Sequence, residues 1–320
     1  MVKGLRKLKT YLLGKRPAPG TLKVRKAGRK DRGTCVQEKV YLRYPGEEEV
    51  PAYVLIPKNA DFPAPAVLCP HPHGLRYDLG KEGTVQRHGD AYWPYALDLA
   101  ERGFVTITPD SKCFGERQHK ELDAEQLGFG ERFEATKEIL YGRCIAQRHL
   151  RDLCTATDYL VARKEVDAKR LGCIGFSMGS AHASVLAALD GRIRCVVACC
   201  GITTLSAIIE NEVIHNYFHY IPGLLESLDM PEILSGIAPR PFLVLNGRDD
   251  ASMPLKGLRQ VGRALKPLYR AEGASGRFKV YVGPYGHEFC DDFQNRAYDW
   301  LGRWLTADGP SVANERRQRR

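Results

Sequence analysis

Hydrophobic and polar positions follow two different periods along the chain. Residues 36–44 alternate between apolar and polar side chains, and residues 50–56 form an apolar stretch after Pro45-Gly46, so two antiparallel strands are predicted. The later apolar runs are short and continuous, and longer segments with helical spacing separate them. Fully apolar strands that alternate with helices are typical of a mainly parallel sheet covered on both faces. The pattern therefore predicts an α/β fold with an antiparallel N-terminal edge.

Further strands and helices are predicted beyond the opening pair. The strands are 66–69, 104–108, 171–176, 195–199, 241–245 and 278–282, and the helices are 91–102, 139–163, 178–189, 255–265 and 290–305. The polar segment 111–138 and the histidine-containing segment 202–238 interrupt this alternation. Both lie between a strand and a helix, where loops at the carboxyl edge of an open sheet form the binding site. We expect both segments to form pocket walls or a lid.

Positive charge is concentrated at the two ends of the chain. The formal net charge is +10, of which residues 1–34 supply +11 and residues 311–320 supply +3, so the body between them is negative. A negative body does not resemble a nucleic-acid-binding domain with a basic face. We interpret 1–34 as a basic, solvated extension, 35–306 as the folded domain and 307–320 as a basic tail. The alternative for the ends is weak docking to RNA or anionic lipid.

The sequence has the features of a reduced, intracellular protein. Lys9 and Lys15 flank Leu12-Leu13 closely, so no apolar core of a signal peptide is present. No apolar run approaches the ~20 residues that a membrane helix needs. The ten cysteines include several in apolar strand-like runs, where a free cysteine acts as a small buried hydrophobe. We expect unpaired thiols, no transmembrane segment and a cytoplasmic protein.

A serine motif lies between a predicted strand and a predicted helix. Residues 175–179 read Gly-Phe-Ser-Met-Gly and match G-x-S-x-G in the setting that a nucleophile elbow requires. The turn is too crowded for side chains at both flanking glycines, and the helix N-terminus behind it can stabilise an oxyanion. We predict Ser177 as the catalytic nucleophile. The alternative is a turn without chemistry, or one that binds phosphate.

The base and the acid are expected later in the chain, in the order serine, acid, histidine. His287 follows the last predicted strand in a glycine-flanked loop, and we predict that it takes the proton of Ser177. The preceding strand ends at two adjacent acids, Asp249 and Asp250, of which only one can orient His287. We prefer Asp250 because of its spacing within the loop, and Asp291 is a third candidate.

The segment His71-Pro72-His73-Gly74-Leu75 follows the first central strand. The second oxyanion donor of a nucleophile-elbow site comes from this position in the fold. We predict an oxyanion hole made of the backbone N–H groups of Met178 and Leu75. Removal of one such donor typically lowers the rate roughly a hundredfold or more.

Four histidines are also candidate zinc ligands, namely His71, His73, His215 and His219. No H-E-x-x-H motif and no cysteine pair at finger spacing accompanies them. We therefore expect no metal and no organic cofactor. His182 lies among alanines behind the nucleophile, and we expect it to be a packed helix residue.

Five segments together resemble α/β-hydrolases of the dienelactone hydrolase-like and acetylxylan esterase-like branch. They are 71–74 (His-Pro-His-Gly), 110–117 (Asp-Ser-Lys-Cys-Phe-Gly-Glu-Arg), 165–179, 246–254 and 286–289 (Gly-His-Glu-Phe). The resemblance covers about residues 35–306. It implies an α/β-hydrolase fold, with a mostly parallel central sheet, antiparallel N-terminal edge strands and helices on both faces. Dienelactone hydrolases themselves carry a cysteine nucleophile, where this chain has Ser177.

These features predict a serine hydrolase that cleaves a carboxylic ester of a small molecule through an acyl-enzyme intermediate. One alternative is a peptidase or amidase with the same triad, and the other is a non-catalytic binding protein that keeps the fold. No specific nucleic-acid partner is expected. The acyl group, the alcohol and a homo-oligomeric state stay open. Glu116 and Arg117 are interpreted as a surface salt bridge or a loop anchor. The alternatives are that both hold the rim of the pocket or that Arg117 contacts an acidic substrate.

Overall fold

The computed structural model describes residues 3–87 and 93–306 of the chain. The strands are β1 (Lys23–Asp31), β2 (Cys35–Arg43), β3 (Val50–Pro57), β4 (Ala64–Leu68), β5 (Val105–Pro109), β6 (Val166–Phe176), β7 (Cys195–Cys199), β8 (Phe242–Gly247) and β9 (Phe278–Gly283). They form one sheet in the order β1-β2-β3-β5-β4-β6-β7-β8-β9. The pairs β1–β2, β2–β3 and β3–β5 are antiparallel. The pairs β5–β4, β4–β6, β6–β7, β7–β8 and β8–β9 are parallel.

Helices cover both faces of this sheet. They are α1 (Lys3–Leu13), α2 (Tyr95–Glu101), α3 (Lys120–Glu125), α4 (Phe129–Leu140), α5 (Ile145–Val161), α6 (Met178–Leu189), α7 (Leu205–Glu210), α8 (Met230–Leu234), α9 (Leu255–Ala271) and α10 (Asp291–Leu305). Ala66 and Leu68 on β4 pack into the core beneath α5 and α6, whereas Val67 on β4 and Cys69, which follows it, pack into the core beneath α2 and α10. Side chains alternate along a strand, so both faces of the central strands are buried. The predicted architecture is confirmed.

The loops that follow the parallel strands gather the predicted site residues at one edge of the sheet. Ser177 comes directly after β6, Asp250 three residues after β8 and His287 four residues after β9. His71 comes three residues after β4. Because parallel strands end at the same edge, these loops meet there in space.

The N-terminal region is folded, and the expectation of a solvated extension is wrong for its described residues. Leu5, Leu8 and Leu12 on α1 are buried in the core, and β1 pairs with β2 along its length. The leucines recur every three or four residues and form an apolar helix face, which the high charge of the segment obscures. All side chains of β1 are exposed, as suits a charged edge strand that resists pairing with other chains. The predicted tail at 307–320 lies outside the described residues.

The single helix predicted at 139–163 is also wrong, because two helices occupy this region. α4 ends at Leu140, and Gly142 follows with φ 68°, a left-handed conformation that commonly ends helices. Cys144 then caps α5 in a capping box with Gln147. Apolar residues continue through the turn, so their spacing did not reveal the break.

Two further expectations concern the cysteines and membrane spans. All ten cysteines are unpaired, and all except the half-buried Cys290 are buried. Among the described residues, no helix is both long enough and apolar enough to cross a bilayer.

Replacement of Leu12 by alanine tests whether α1 is part of the core. Leu12 is 0% exposed, so Leu12→Ala should lower the free energy of unfolding by about 2–5 kcal/mol. Urea unfolding followed by circular dichroism measures this change. Lys9→Ala, at an exposed position of the same helix, should change it by less than about 0.5 kcal/mol. Equal effects of the two substitutions would contradict the packed helix.

Candidate active site

Ser177 occupies a strained turn between β6 and α6. Its backbone has φ 55° and ψ −122°, a conformation that costs on the order of 1–3 kcal/mol for a residue with a side chain. A Cβ at Gly175 would lie 2.1 Å from the carbonyl group of Gly179, and a Cβ at Gly179 would lie 2.1 Å from the oxygen of Pro70. Close backbone contacts therefore require both flanking glycines.

Ser177, His287 and Asp250 form a continuous chain of hydrogen bonds. Ser177 Oγ lies 2.9 Å from His287 Nε2, and His287 Nδ1 lies 2.9 Å from Asp250 Oδ2. With the ring proton on Nδ1 and donated to the carboxylate, Nε2 is free to accept the serine proton. The backbone N–H groups of Ser252 and Met253 donate to Asp250 Oδ1. These bonds fix the carboxylate in the orientation that His287 requires.

The other two candidate acids lie elsewhere. Asp249 is exposed, and its backbone N–H donates to the carbonyl of Tyr285. Asp291 is exposed in the first turn of α10. Of the three acids, the structure therefore brings Asp250 to His287.

A cavity of about 500 Å³ contains Ser177 and His287 in its wall. Its described lining residues are His73, Gly74, Leu75, Tyr77, Trp93, Glu131, Phe176, Ser177, Val213, Ile214, His215, Asn216, Tyr217, Ser252 and His287. Segment 111–138 contributes Glu131, and segment 202–238 contributes residues 213–217. The sequence did not single out Tyr77, Trp93 or Glu131, because none of them belongs to a recognisable motif.

His73 connects the cavity wall to the loop that carries Leu75. The Leu75 N–H donates to His73 Nδ1 at 3.1 Å, so the ring proton is on Nε2 and is donated to Glu131 Oε2 at 2.8 Å. The Tyr77 hydroxyl donates to the same oxygen at 2.9 Å. The Leu75 N–H thus has an acceptor within its own loop. Met178 differs, because first-turn N–H groups have no acceptor within their helix.

Glu131 is a buried carboxylate with 1% of its side chain exposed. Burial favours the neutral acid, but the interactions with His73 and the hydrogen bond from Tyr77 outweigh it and hold the pKa of Glu131 below its ordinary value. The carboxyl group is therefore ionised at neutral pH. Its second oxygen, Oε1, has no hydrogen-bond partner among the described residues.

Other histidines near the cavity form contacts within the fold, and His219 Nε2 and His182 Nδ1 have no hydrogen-bond partner among the described residues. His71 Nε2 accepts a backbone N–H at 3.1 Å, and the rings of His215 and His219 meet edge to face at 4.5 Å. His182 is fully buried in α6, as expected of a packed helix residue. Its Nε2 lies 3.1 Å from Nδ1 of His149 on α5.

The histidines considered as zinc ligands do not form a ligand set in the described part of the chain. There, one group of three side chains has ligand atoms within 4.8 Å of one another, namely Cys200, Asp250 and His287. Because Asp250 and His287 are hydrogen-bonded to each other, this group belongs to the site around Ser177.

Glu116 and Arg117 anchor a loop outside the cavity lining. Arg117 pairs with Asp152 and Glu48, and Glu116 pairs with the buried Lys81. These contacts agree with the interpretation of the two residues as a salt-bridged anchor.

Comparison with known proteins gives four informative similarities. The chain matches the Abhydrolase family over residues 19–263. The Bacillus subtilis (strain 168) protein described as "Putative hydrolase YtaP" is 32% identical over 297 residues, which cover 92% of this chain and 96% of the relative. A solved structure described as a "putative acetyl xylan esterase" from Bacteroides fragilis NCTC 9343 matches with a TM-score of 0.71 and 21% identity, covering 88% of this chain and 74% of that chain. The glucuronoyl esterase from Solibacter usitatus has a TM-score of 0.66 and 17% identity, with coverage of 93% and 90%. The two solved structures share the fold of this chain.

The burial of His149 leads us to predict that the folded protein becomes less stable in acid. Burial lowers the pKa of His149 to about 4, whereas the pKa of a histidine in an unfolded chain is about 6.5. Above about pH 6.5 both states are neutral at this residue, but below it the unfolded state takes up the proton first, so the free energy of unfolding falls toward pH 4. Between pH 7.5 and pH 5 this residue should contribute a loss on the order of 2 kcal/mol in urea unfolding. His149→Gln should lose correspondingly less, and an unchanged pH dependence of the variant would contradict the prediction.

Proposed function

The chain belongs to the Abhydrolase family, and we propose that it is a serine hydrolase that cleaves a carboxylic ester of a small molecule through an acyl-enzyme intermediate. The observation that carries this proposal is the hydrogen-bond chain of Ser177, His287 and Asp250, with 2.9 Å at each link. A serine hydroxyl is a weak nucleophile by itself, and an adjacent base oriented by a third group activates it. Both solved structures described above are named as esterases, which favours an ester as the bond that is cleaved.

Acylation begins when Ser177 Oγ attacks the carbonyl carbon of the ester and His287 Nε2 takes the hydroxyl proton. The carbonyl oxygen becomes an oxyanion, and the Met178 N–H at the start of α6 donates to it. The Leu75 N–H is the second donor of the proposal, and it exchanges His73 Nδ1 for the oxyanion. The Asp250 side chain, hydrogen-bonded to His287 Nδ1, stabilises the imidazolium that forms at His287.

Collapse of this intermediate breaks the bond between the carbonyl carbon and the alkoxy oxygen. The leaving alkoxide takes the proton from His287 Nε2, and the acyl group stays on Ser177. A water molecule then attacks the acyl-enzyme and gives its proton to His287, which returns a proton to Ser177 as the carboxylic acid leaves. Atoms and protons balance in these steps with the side chains named here.

Adjacent acids allow a matched test of the proposed orienting residue. Asp250→Asn should lower kcat for an activated ester such as p-nitrophenyl acetate by roughly 10⁴-fold, because an amide no longer holds the required histidine tautomer. Asp249→Asn, one residue away and exposed, should change kcat by less than about threefold, since surface substitutions are usually near neutral. Steady-state kinetics of both purified variants measures the difference. Comparable losses in the two variants would contradict the assignment of Asp250.

A fluorophosphonate tests the proposed nucleophile directly. Intact-mass and peptide mapping should find one adduct per chain on Ser177 and none in Ser177→Ala or His287→Ala, because labelling needs an activated hydroxyl. The Ser177→Ala variant should also lose esterase activity by roughly 10⁶-fold. A panel of short-chain acyl esters and matched anilides then separates an esterase from an amidase. Absence of an adduct on the folded protein would contradict a catalytic serine.

A further inference from the structure

Among the described residues, no lysine or arginine forms an ion pair with Glu131. Its ion-pair contact is with His73, and that ring accepts the Leu75 N–H at Nδ1. A ring that accepts at one nitrogen and donates at the other is the neutral form of histidine. The Tyr77 hydroxyl, which also donates to Glu131, is neutral as well. Two hydrogen bonds therefore orient the carboxylate without neutralising it.

Glu131 belongs to the wall of the cavity, and one of its carboxylate oxygens has no described hydrogen-bond partner. Both donors are on Oε2, whereas Oε1 is shielded from solvent and has no partner in the described part of the chain. A carboxylate offers about four lone-pair sites, and a buried site without a donor is costly. Asn216, on the opposite segment of the lining, has a second shielded oxygen, Oδ1, without a described partner. Both unpartnered atoms are acceptors, so this lining favours a ligand that brings hydrogen-bond donors.

The remaining described lining groups favour a cation over other donors. The described lining contains the Glu131 carboxylate and neither lysine nor arginine. Burial also lowers the pKa of His215 to about 4, so this lining histidine is uncharged at neutral pH. Tyr77, Trp93, Phe176 and Tyr217 add four aromatic rings to the lining, and the faces of aromatic rings attract cations.

We propose that the cavity beside Ser177 binds an ester that carries a primary ammonium group, with Glu131 as the residue that recognises the charge. This inference rests on the proposed esterase function of the same site and names its substrate class. The ammonium group donates to Glu131 and neutralises a carboxylate that the protein leaves unpaired. A hydroxyl group would donate but leave the charge uncompensated, and a carboxylate on the substrate would be repelled.

A series of ethyl esters that differ in one terminal group tests the charge preference on the acyl side. The members are β-alanine ethyl ester (ammonium), ethyl 3-hydroxypropanoate (hydroxyl), ethyl butanoate (methyl) and monoethyl succinate (carboxylate). 4-Aminobutyl acetate (ammonium) and its neutral isostere, pentyl acetate (methyl), test the alcohol side. At pH 7 and low salt, we expect the cationic member of at least one series to exceed its neutral isostere at least tenfold in kcat/KM. The succinate monoester should be the poorest substrate of its series.

Glu131→Gln is the variant that isolates the recognising group. The glutamine oxygen can accept from His73 and Tyr77 as Oε2 does, which leaves an NH₂ group in place of Oε1. The variant therefore loses the charge and presents a donor to the ligand, and the ratio of kcat/KM for the cationic ester to that for its isostere should fall at least tenfold. Glu134→Gln is the matched control, because Glu134 is a buried glutamate on the same helix and is not among the described lining residues. It should keep the ratio within about threefold.

Several results would overturn the inference. These are cationic-to-neutral ratios near one in the wild type, a ratio that Glu131→Gln leaves unchanged, and a hydroxyl member preferred as strongly as the ammonium member. The first and third need no variant, so the test stands even where Glu131→Gln fails to fold.

A binding measurement separates this inference from the proposed function. Ligand-observed saturation-transfer NMR on Ser177→Ala should detect the cationic ester in preference to its isostere, and Ser177→Ala/Glu131→Gln should lose this preference. If no ester is hydrolysed but the binding preference is present and depends on Glu131, the esterase proposal fails and the charge recognition stands. If esters are hydrolysed and no preference for the cation exists in binding or kinetics, the charge recognition alone fails.

Discussion

The strained backbone of Ser177 is held by contacts that leave no room for a single additional carbon atom. Gly179 lies against the oxygen of Pro70 after β4, and a Cβ at Gly201 after β7 would lie 2.4 Å from the oxygen of Ser177. β6 lies between β4 and β7 and pairs with both in parallel. Loops from three adjacent strands therefore hold one serine in a conformation that it would otherwise leave. The approach of His287 and Asp250 depends on the same edge, because β8 and β9 continue the parallel register.

The layer behind this edge connects the N-terminal region to the site. α1 packs against α5, and α5 packs against α6, the helix that begins directly after Ser177. Asp158 on α5 accepts hydrogen bonds from Arg16, Tyr44 and Arg192. The basic N-terminal segment thus supplies apolar leucine side chains to the folded core, and its Arg16 supplies a countercharge to Asp158. Lysines such as Lys7 and Lys9 lie on the exposed side of the packed helix α1.

Buried ionisable groups around Ser177 differ in charge because their hydrogen-bond partners differ. His149 and His182 are fully buried without a carboxylate partner, and burial lowers the pKa of each, so they remain neutral. Glu131 is equally buried but accepts two hydrogen bonds, and it remains ionised. In the proposed reaction, the carboxylate that accepts from His287 stabilises the imidazolium that forms there.

Local patterns were sufficient to predict much of the fold and part of the site. The central strands are buried on both faces, so each appears in the sequence as a continuous apolar run. Such a run can be recognised without knowing which strands lie beside it. The motif around Ser177 and the loop around His287 are also local, because each follows directly from the end of a strand. The prediction failed at α1, where the high charge obscured the helical spacing of the leucines. It also failed at the turn around Gly142, where apolar residues continue from one helix into the next.

The sequence by itself determined the order of the strands along the chain, the glycine-flanked turn at Ser177 and the set of acids available to His287. Only the tertiary structure decided which of the adjacent residues Asp249 and Asp250 faces His287, because this choice depends on the path of the loop after β8. Only the tertiary structure brought Glu131 to His73 across 58 residues and gave the Leu75 N–H an acceptor. The physical reason is that hydrogen bonds between distant segments depend on how helices and loops pack on the sheet. The spacing of residues along one segment carries no record of that packing.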